Sequence, residues 1–269
     1  MSGILYLVPT PIGNLGDISA RCVEILEQVD FIAAEDTRVT LKLLNHLDLK
    51  KRLVSYHRHN TETGSAIVDR LSAGESCALV TDAGTPAISD PGEDLVALCV
   101  ERGVDVCAIP GPCALIVALS VSGLPTSRFT FEGFLPMNKK NRKAQLDSLK
   151  AEARTMLFYE APHKLVPTLR DLAQTFGEGR RIALCRELTK LHEEIRRTTL
   201  GEAVAWYEAN MPRGEFVLVV EGAAPQVQES DPDRALERVL QLREEGLPLK
   251  AACKQAGEEF GIPEAFGGV

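Results

Sequence analysis

No stretch of about twenty apolar residues occurs in this chain, so nothing in it is expected to span a bilayer. Met1 to Tyr6 runs straight into a strand-like segment, with no basic region before it and no cleavage signal. No signal peptide is therefore expected, and the cytoplasm is the expected place of work. There is no Cys-x-x-Cys. The seven cysteines, at 22, 77, 99, 107, 113, 185 and 253, are odd in number and mostly in apolar surroundings. Buried free thiols are expected rather than disulfides or a zinc site. His57-Arg58-His59 is the only tight histidine pair, and without a third ligand it makes a poor metal site, so no metal is expected. Positive charge is not in excess either: the formal net charge is −8. That argues against a surface coated for general nucleic-acid binding.

Several catalytic signatures are missing as well. The chain has no G-x-x-x-x-G-K-[ST], no G-x-G-x-x-G after a strand, no G-x-S-x-G and no H-E-x-x-H. Nucleotide hydrolysis, dinucleotide-dependent redox chemistry and serine hydrolysis thereby lose their usual carriers. No internal repeat and no low-complexity segment occurs.

What is present is a globular α/β pattern. With 269 residues, 45% of them hydrophobic, the chain can bury a core as one large domain or two modest ones. Its first half alternates short apolar runs (4–8, 31–34, 77–80, 104–108) with helical spacing at 17–29, 39–47, 62–73, 92–102 and 113–121. Such alternation predicts a mostly parallel sheet covered on both faces. Ser122-Gly123-Leu124-Pro125-Thr126 reads as a linker. Beyond it, strand-like runs at 129–135, 155–160, 181–185, 194–200 and 216–221 surround helical stretches at 164–176 and 201–210. Several alternate apolar with polar residues, which predicts a mixed sheet. A polar segment with two prolines, 223–233, precedes two short helices at 234–245 and 249–259. The expected divisions are 1–121, 122–223 and 224–269.

Two glycine-and-proline turns stand directly after apolar runs: Asp82-Ala83-Gly84-Thr85-Pro86 and Pro110-Gly111-Pro112-Cys113-Ala114. A buried strand that ends in small residues brings main-chain groups close to whatever lies above the sheet edge. Two such turns in one open sheet would line the crevice where α/β proteins bind ligands, with Asp82 adding a carboxylate at its mouth. One local basic cluster, Lys139, Lys140, Arg142 and Lys143, stands out from the acidic background. It reads either as a solvated helix start or loop, or as a phosphate-binding patch.

Taken in order, eight segments resemble the tetrapyrrole methylase superfamily of S-adenosylmethionine enzymes, in particular its branch that modifies ribosomal RNA. Four are in the first half: Val8 to Leu15 (VPTPIGNL), Ala34 to Arg38 (AEDTR), Asp82 to Pro86 (DAGTP) and Pro110 to Ala114 (PGPCA). Four follow: Glu132 to Pro136 (EGFLP), Tyr159 to His163 (YEAPH), Arg186 to Lys190 (RELTK) and Gly214 to Gly222 (GEFVLVVEG). The match spans residues 4–222. Near the C-terminus it weakens: Pro263, Gly267 and Gly268 are poor helix formers where the family continues into a further helix. The acidic balance of the tail from Gln226 also makes it a poor RNA arm.

The resemblance implies two α/β domains with S-adenosylmethionine held in the cleft between them, a homodimer, and 16S rRNA of the small ribosomal subunit as partner. The implied reaction is 2′-O-methylation of a cytidine ribose in the decoding region. A corrin-precursor methyltransferase, or a cofactor-binding assembly factor with little turnover, are the alternatives. Implied cofactor contacts are Pro11, Asp82, Ala83, Gly84, Thr85, Pro110, Pro112, Cys113, Ala114, Tyr159, Arg186, Gly214, Glu215 and Phe216.

Methyl transfer from a sulfonium is an in-line displacement, so positioning is the main task and can supply roughly 7–11 kcal/mol of the barrier. Small residues and close carbonyl oxygens suit that. Asp82 would meet the amino group or sulfonium, or else be a turn-forming Asp. Cys113 is a packing residue rather than a nucleophile, because no covalent intermediate is needed. Gly214 to Phe216 would hold the adenine edge, or else form a plain loop-to-strand turn. A ribose hydroxyl is a weak acid, so a base or charge-stabilising group is expected beside it. Glu35, Asp36 and Arg38 come first as candidates, ahead of Glu160 and His163; each also reads as a capping or salt-bridging residue.

Overall fold

The computed structural model describes residues 2–57, 61–224 and 232–260. Arg58 and His59 of the histidine pair, most of the polar segment before 232, and the tail from Gly261 lie outside the described residues.

The first sheet is built from β1 (Ile4–Leu7), β2 (Phe31–Ala34), β3 (Arg52–Ser55), β4 (Cys77–Val80) and β5 (Asp105–Ala108). Its order is β3-β2-β4-β1-β5 and every pairing is parallel. β2 (FIAA) and β4 (CALV) are buried throughout, as inner strands covered on both faces must be. Helices α1 (Ala20–Gln28) and α2 (Thr37–His46) cover one face, and α3 (Thr61–Ser72) and α4 (Glu93–Glu101) the other. Because all five strands run the same way, the segments after β1, β2, β4 and β5 emerge at one edge.

β3 has no counterpart among the expected strands. Its sequence, Arg52-Leu53-Val54-Ser55, exposes both ends and gives no apolar run. An edge strand is free to be this polar, and benefits from it.

The second sheet comprises β6 (Phe129–Phe134), β7 (Thr155–Glu160), β8 (Arg181–Arg186), β9 (Glu194–Thr199) and β10 (Phe216–Val220). Its order is β6-β7-β10-β8-β9; β6 and β7 are parallel and the other pairs antiparallel, so the sheet is mixed. Phe216 pairs with Glu160 on one side and Arg186 on the other. The start of β10 therefore shares an edge with the ends of β7 and β8. Helices α6 (Lys139–Ser148), α7 (Leu165–Phe176) and α8 (Leu200–Ala209) lie over one face, packing Leu146, Leu165, Leu169, Leu172 and Leu200 against Met156, Phe158 and Leu218.

The opposite face is covered by α5 (Ala114–Val121), whose Leu115, Ala118 and Leu119 join Leu157, Ala183, Cys185 and Val219 in one apolar cluster. This helix follows the first sheet in the chain yet packs on the second. Contacts group Met1–Gly222 into one compact unit and Ala223–Val269 into another. The latter contains α9 (Pro232–Glu244) and α10 (Leu249–Glu259), which share a small core of Leu242, Ala252 and Ala256.

The basic run opens α6. Asn138 caps it, its side chain accepting from the N–H groups of Lys140 and Asn141 at 3.0 and 3.2 Å. Only Leu146 of this helix is buried, so periodicity gave no signal for it.

Candidate active site

Three loops at the carboxyl edge of the first sheet are stitched together. Thr10 and Gly84 form a two-way main-chain bridge, Thr10 N–H to Gly84 O at 2.9 Å and Gly84 N–H to Thr10 O at 3.0 Å. The buried Thr10 hydroxyl donates to Thr81 O at 3.0 Å. Thr85 Oγ1 donates to Pro112 O at 2.8 Å, tying the 82–86 turn to the 110–114 turn. Gly84 sits at φ +91°, where a Cβ would stand 3.4 Å from Ile12 Cγ2. Glycine is thus favoured by conformation, while a Cβ would make only ordinary contact with Ile12.

The second sheet reaches this edge through Tyr159. Its hydroxyl accepts from Leu115 N–H at 3.2 Å, in the first turn of α5, where Cys113 supplies no side-chain cap. Phe131 and Phe134 pack edge-on against the Tyr159 ring at 4.9 and 5.6 Å. Burial pushes the Tyr159 phenol well above its ordinary range, so it remains a donor or acceptor and not a base.

Between these elements lies a cavity of about 330 Å³, within the size range of small-molecule sites. Of the residues expected at a cofactor site, Asp82, Ala83, Gly84, Thr85, Cys113, Ala114, Tyr159, Glu215 and Phe216 line it. Pro11, Pro110, Pro112, Arg186 and Gly214 do not. Pro112 contributes its carbonyl to Thr85, Arg186 pairs with Glu194 at 3.1 Å, and Gly214 lies against the Glu187 side chain.

Of the three candidates at the end of β2, only Glu35 lines the cavity. Asp36 caps α2, accepting from Arg38 N–H at 2.8 Å, and chelates the Arg38 guanidinium at 3.0 and 2.6 Å. Those hydrogen bonds hold the Asp36 carboxyl below the usual carboxylate range. The Arg38 side chain is 88% exposed. Asp82 accepts from Asp36 N–H at 3.2 Å and donates its own N–H to Glu35 Oε2 at 3.5 Å, which links the two loops.

Glu160 lines the cavity from the second sheet and is buried. Its oxygens accept from Ala161 N–H at 2.9 Å and from the Thr168 hydroxyl. Thr168 in turn accepts from Arg142 Nη2 at 2.9 Å, and Arg142 Nε pairs with Asp171 at 2.5 Å. Arg142 is therefore built into the fold, whereas Lys139, Lys140 and Lys143 are exposed. A second, larger hollow of about 740 Å³ lies between α6 and α7, bordered by Lys139, Arg142, Lys143, Lys150 and Lys164.

Residues that sequence reasoning did not assign also line the cavity, among them Ile88, Ser89, Asp90, Cys185, Glu187, Leu188 and Lys190. Ile88 to Asp90 follow the 82–86 turn, and Glu187 to Lys190 follow β8 within a segment already singled out. Position after a strand end was the available signal. Burial pushes the Cys185 thiol up to about 12, so it stays protonated.

The residues present fit a positively charged sulfonium ligand. Six acidic residues (Glu35, Asp82, Asp90, Glu160, Glu187 and Glu215) and one basic residue line the cavity among the described residues. Gly84 leaves the floor open to close main-chain approach. No cluster of three or more His, Cys, Asp or Glu suited to a metal occurs among the described residues, and no described helix is long and apolar enough to cross a membrane.

Comparison with known proteins places this geometry. Residues 4–204 match the family described as Tetrapyrrole (Corrin/Porphyrin) Methylases. The chain is 49% identical to ribosomal RNA small subunit methyltransferase I of Synechocystis sp., over 97% of this chain and 94% of that protein. It is 48% identical to the protein of the same name from Escherichia coli O157:H7, over 97% and 91%. In fold it resembles the crystal structure of uroporphyrin-III-C-methyltransferase from Thermus thermophilus, with a TM-score of 0.58, 17% identity, and coverage of 81% of this chain and 94% of that one.

Proposed function

Because this chain belongs to the tetrapyrrole methylase family, whose methyl donor is S-adenosylmethionine, we propose that it methylates 16S rRNA of the small ribosomal subunit at the ribose 2′-oxygen of a cytidine in the decoding region. Near-half identity along nearly the whole chain to proteins named as small-subunit rRNA methyltransferases supports the RNA substrate. The single structural observation that carries the chemistry is the cavity wall, six acidic residues around a glycine-floored turn. Such a substrate places the reaction in the cytoplasm.

When bound, S-adenosylmethionine supplies a methyl group on a cationic sulfur. Asp82 would hold its charged part, and Gly84, whose own N–H and C=O are taken by Thr10, would leave room beside the ligand. Thr85 keeps the two small-residue turns in register through Pro112 O, so Cys113 and Ala114 present a fixed, compact wall. Glu215 and Phe216, the members of the 214–216 turn that line the cavity, would border the adenine edge. Glu35, the member of its loop that reaches the cavity, is the carboxylate assigned to take the hydroxyl proton. Methyl transfer neutralises charge at sulfur, so these residues act mainly by alignment.

The test is a substrate panel. Labelled S-adenosylmethionine is supplied with small subunits lacking the methyl group, with free 16S rRNA and with a corrin precursor. Label in the subunit is expected; label only in the corrin, or tight cofactor binding with no transfer to any of the three, would sink the reading.

Electrostatics predict how RNA is reached. With a net charge of −8, long-range attraction to phosphate is weak, so binding must draw on the exposed lysines beside the α6–α7 hollow. Lys139→Ala/Lys140→Ala should lower the salt slope of subunit binding by about two units and leave cofactor affinity unchanged. Binding titrations from low to high salt decide it, and an unaltered slope returns these lysines to a merely solvated helix start.

A further inference from the structure

Lys190 is the one basic residue among the described residues lining the cavity. Its Nζ donates to Glu187 Oε1 and to Glu215 Oε2, each at 2.9 Å. An ammonium carries three N–H bonds, and among the described residues the third meets no protein acceptor. Burial alone would lower its pKa, but the two carboxylates outweigh burial and hold it above the ordinary lysine range. The side chain is therefore an ammonium at neutral pH.

The loop that carries it is tightly constrained. Glu187 and Thr189 sit at φ 50° and 66°, a region that non-glycine residues rarely adopt and that gathers at functional sites. Gly13 of the first loop lies so close that a Cβ there would overlap Lys190 Cγ. Packing thus fixes where this ammonium stands.

Charge decides its use. Glu187, Lys190 and Glu215 together carry one net negative charge, so the cluster neither attracts phosphate from a distance nor repels a sulfonium. What remains is a directional donor, whose hydrogen bond strengthens as its acceptor becomes anionic. A ribose oxygen losing its proton is such an acceptor.

We propose that Lys190 is a further catalytic residue, whose unspent N–H donates to the acceptor ribose oxygen and stabilises the negative charge that develops there. The proposal rests on the ribose-methylation reading given above. In the step, an oxygen lone pair forms the bond to the methyl carbon, and the carbon–sulfur bond breaks with its electron pair going to sulfur. The hydroxyl proton passes to Glu35 and on to water, and Lys190 keeps its own protons throughout.

The experiment uses the full chain, S-adenosylmethionine and small subunits lacking the methyl group. Lys190→Met and Lys190→Gln should each slow single-turnover transfer about 10²–10³-fold. The calorimetric dissociation constant for S-adenosylmethionine should stay within about threefold, the margin of an interaction not made to the cofactor. Lys190→Arg, which keeps a cation and directional donors, should recover at least about tenfold over the methionine variant. Wild-type single-turnover rates in the methionine and glutamine variants would overturn the proposal. So would a parallel fall in cofactor affinity, which would put the ammonium on the cofactor's own carboxylate. Failure of the ribose reading shows itself separately, because the wild-type protein would then label a base or nothing in the subunit.

Discussion

Gly84→Val is expected to weaken S-adenosylmethionine binding by about a hundredfold or more, with the protein still folded. A β-branched residue at φ +91° is strained by about 1–3 kcal/mol. The backbone cannot relax cheaply, because both polar groups of Gly84 are bound to Thr10. A Cβ at this position already stands 3.4 Å from Ile12 Cγ2, so the branched methyls must move Ile12 or turn into the cavity. The strain is shared by free and bound protein and so shows as a lower melting temperature, whereas either displacement spoils the surface expected to approach the ligand, and about 3 kcal/mol of lost contact there corresponds to about a hundredfold in affinity. Gly84→Ala separates the two contributions, since it keeps the strain but adds only one methyl; it should lose about tenfold. Calorimetric titration with thermal melting checks this. Wild-type affinity in the valine variant would mean that the 82–86 turn does not touch the ligand.

Thr168→Val should destabilise the protein by about 3 kcal/mol, although it changes the side chain's shape very little. The Thr168 side chain is fully buried and its hydroxyl stands between two charged groups. It donates to the Glu160 carboxylate and accepts from Arg142 Nη2 at 2.9 Å. Valine leaves a buried carboxylate oxygen and a guanidinium N–H without that partner. In a domain of this size the loss corresponds to a melting temperature lower by about 6–12 °C. Thr168→Ser retains the hydroxyl and gives up one methyl, so it should cost only about 1 kcal/mol. Melting curves of the two variants decide between a polar network and simple packing: equal stabilities would show that the hydroxyl is not needed.

The inner strands were legible because burial on both faces demands unbroken apolar residues, as in Phe31-Ile32-Ala33-Ala34 and Cys77-Ala78-Leu79-Val80. β3 was not, since an edge strand with Arg52 and Ser55 at its ends has no reason to show a pattern. The same holds for α6, held by its Asn138 cap and a single buried leucine rather than by an apolar stripe. The placing of α5 on the second sheet could not be read at all, because a helix apolar on every side gives no facing direction.

At the site, the two small-residue turns were visible as composition, but their mutual contacts were not. The Thr10–Gly84 bridge and the Thr85–Pro112 hydrogen bond depend on strand order, which no local motif encodes. Asp36 shows the opposite difficulty. An Asp two residues past the end of a strand reads equally as a cap or a catalytic group, and only its hydrogen bonds to Arg38 separate the two. Glu160 reaches the cavity through the pairing of β7 with β10, a register set by the whole sheet. Lys190 was hidden because its role depends on two carboxylates, one of them 25 residues further along the chain.

The most direct test is chemical. Small subunits lacking the modification are methylated with S-adenosylmethionine carrying a labelled methyl group, and the recovered 16S rRNA is hydrolysed completely in alkali. Alkaline cleavage needs a free 2′-hydroxyl, so a methylated ribose leaves its own linkage intact. The account predicts that the label remains in an alkali-resistant dinucleotide whose 5′ member is cytidine. Label released entirely as mononucleotides would put the methyl group on a base and contradict it.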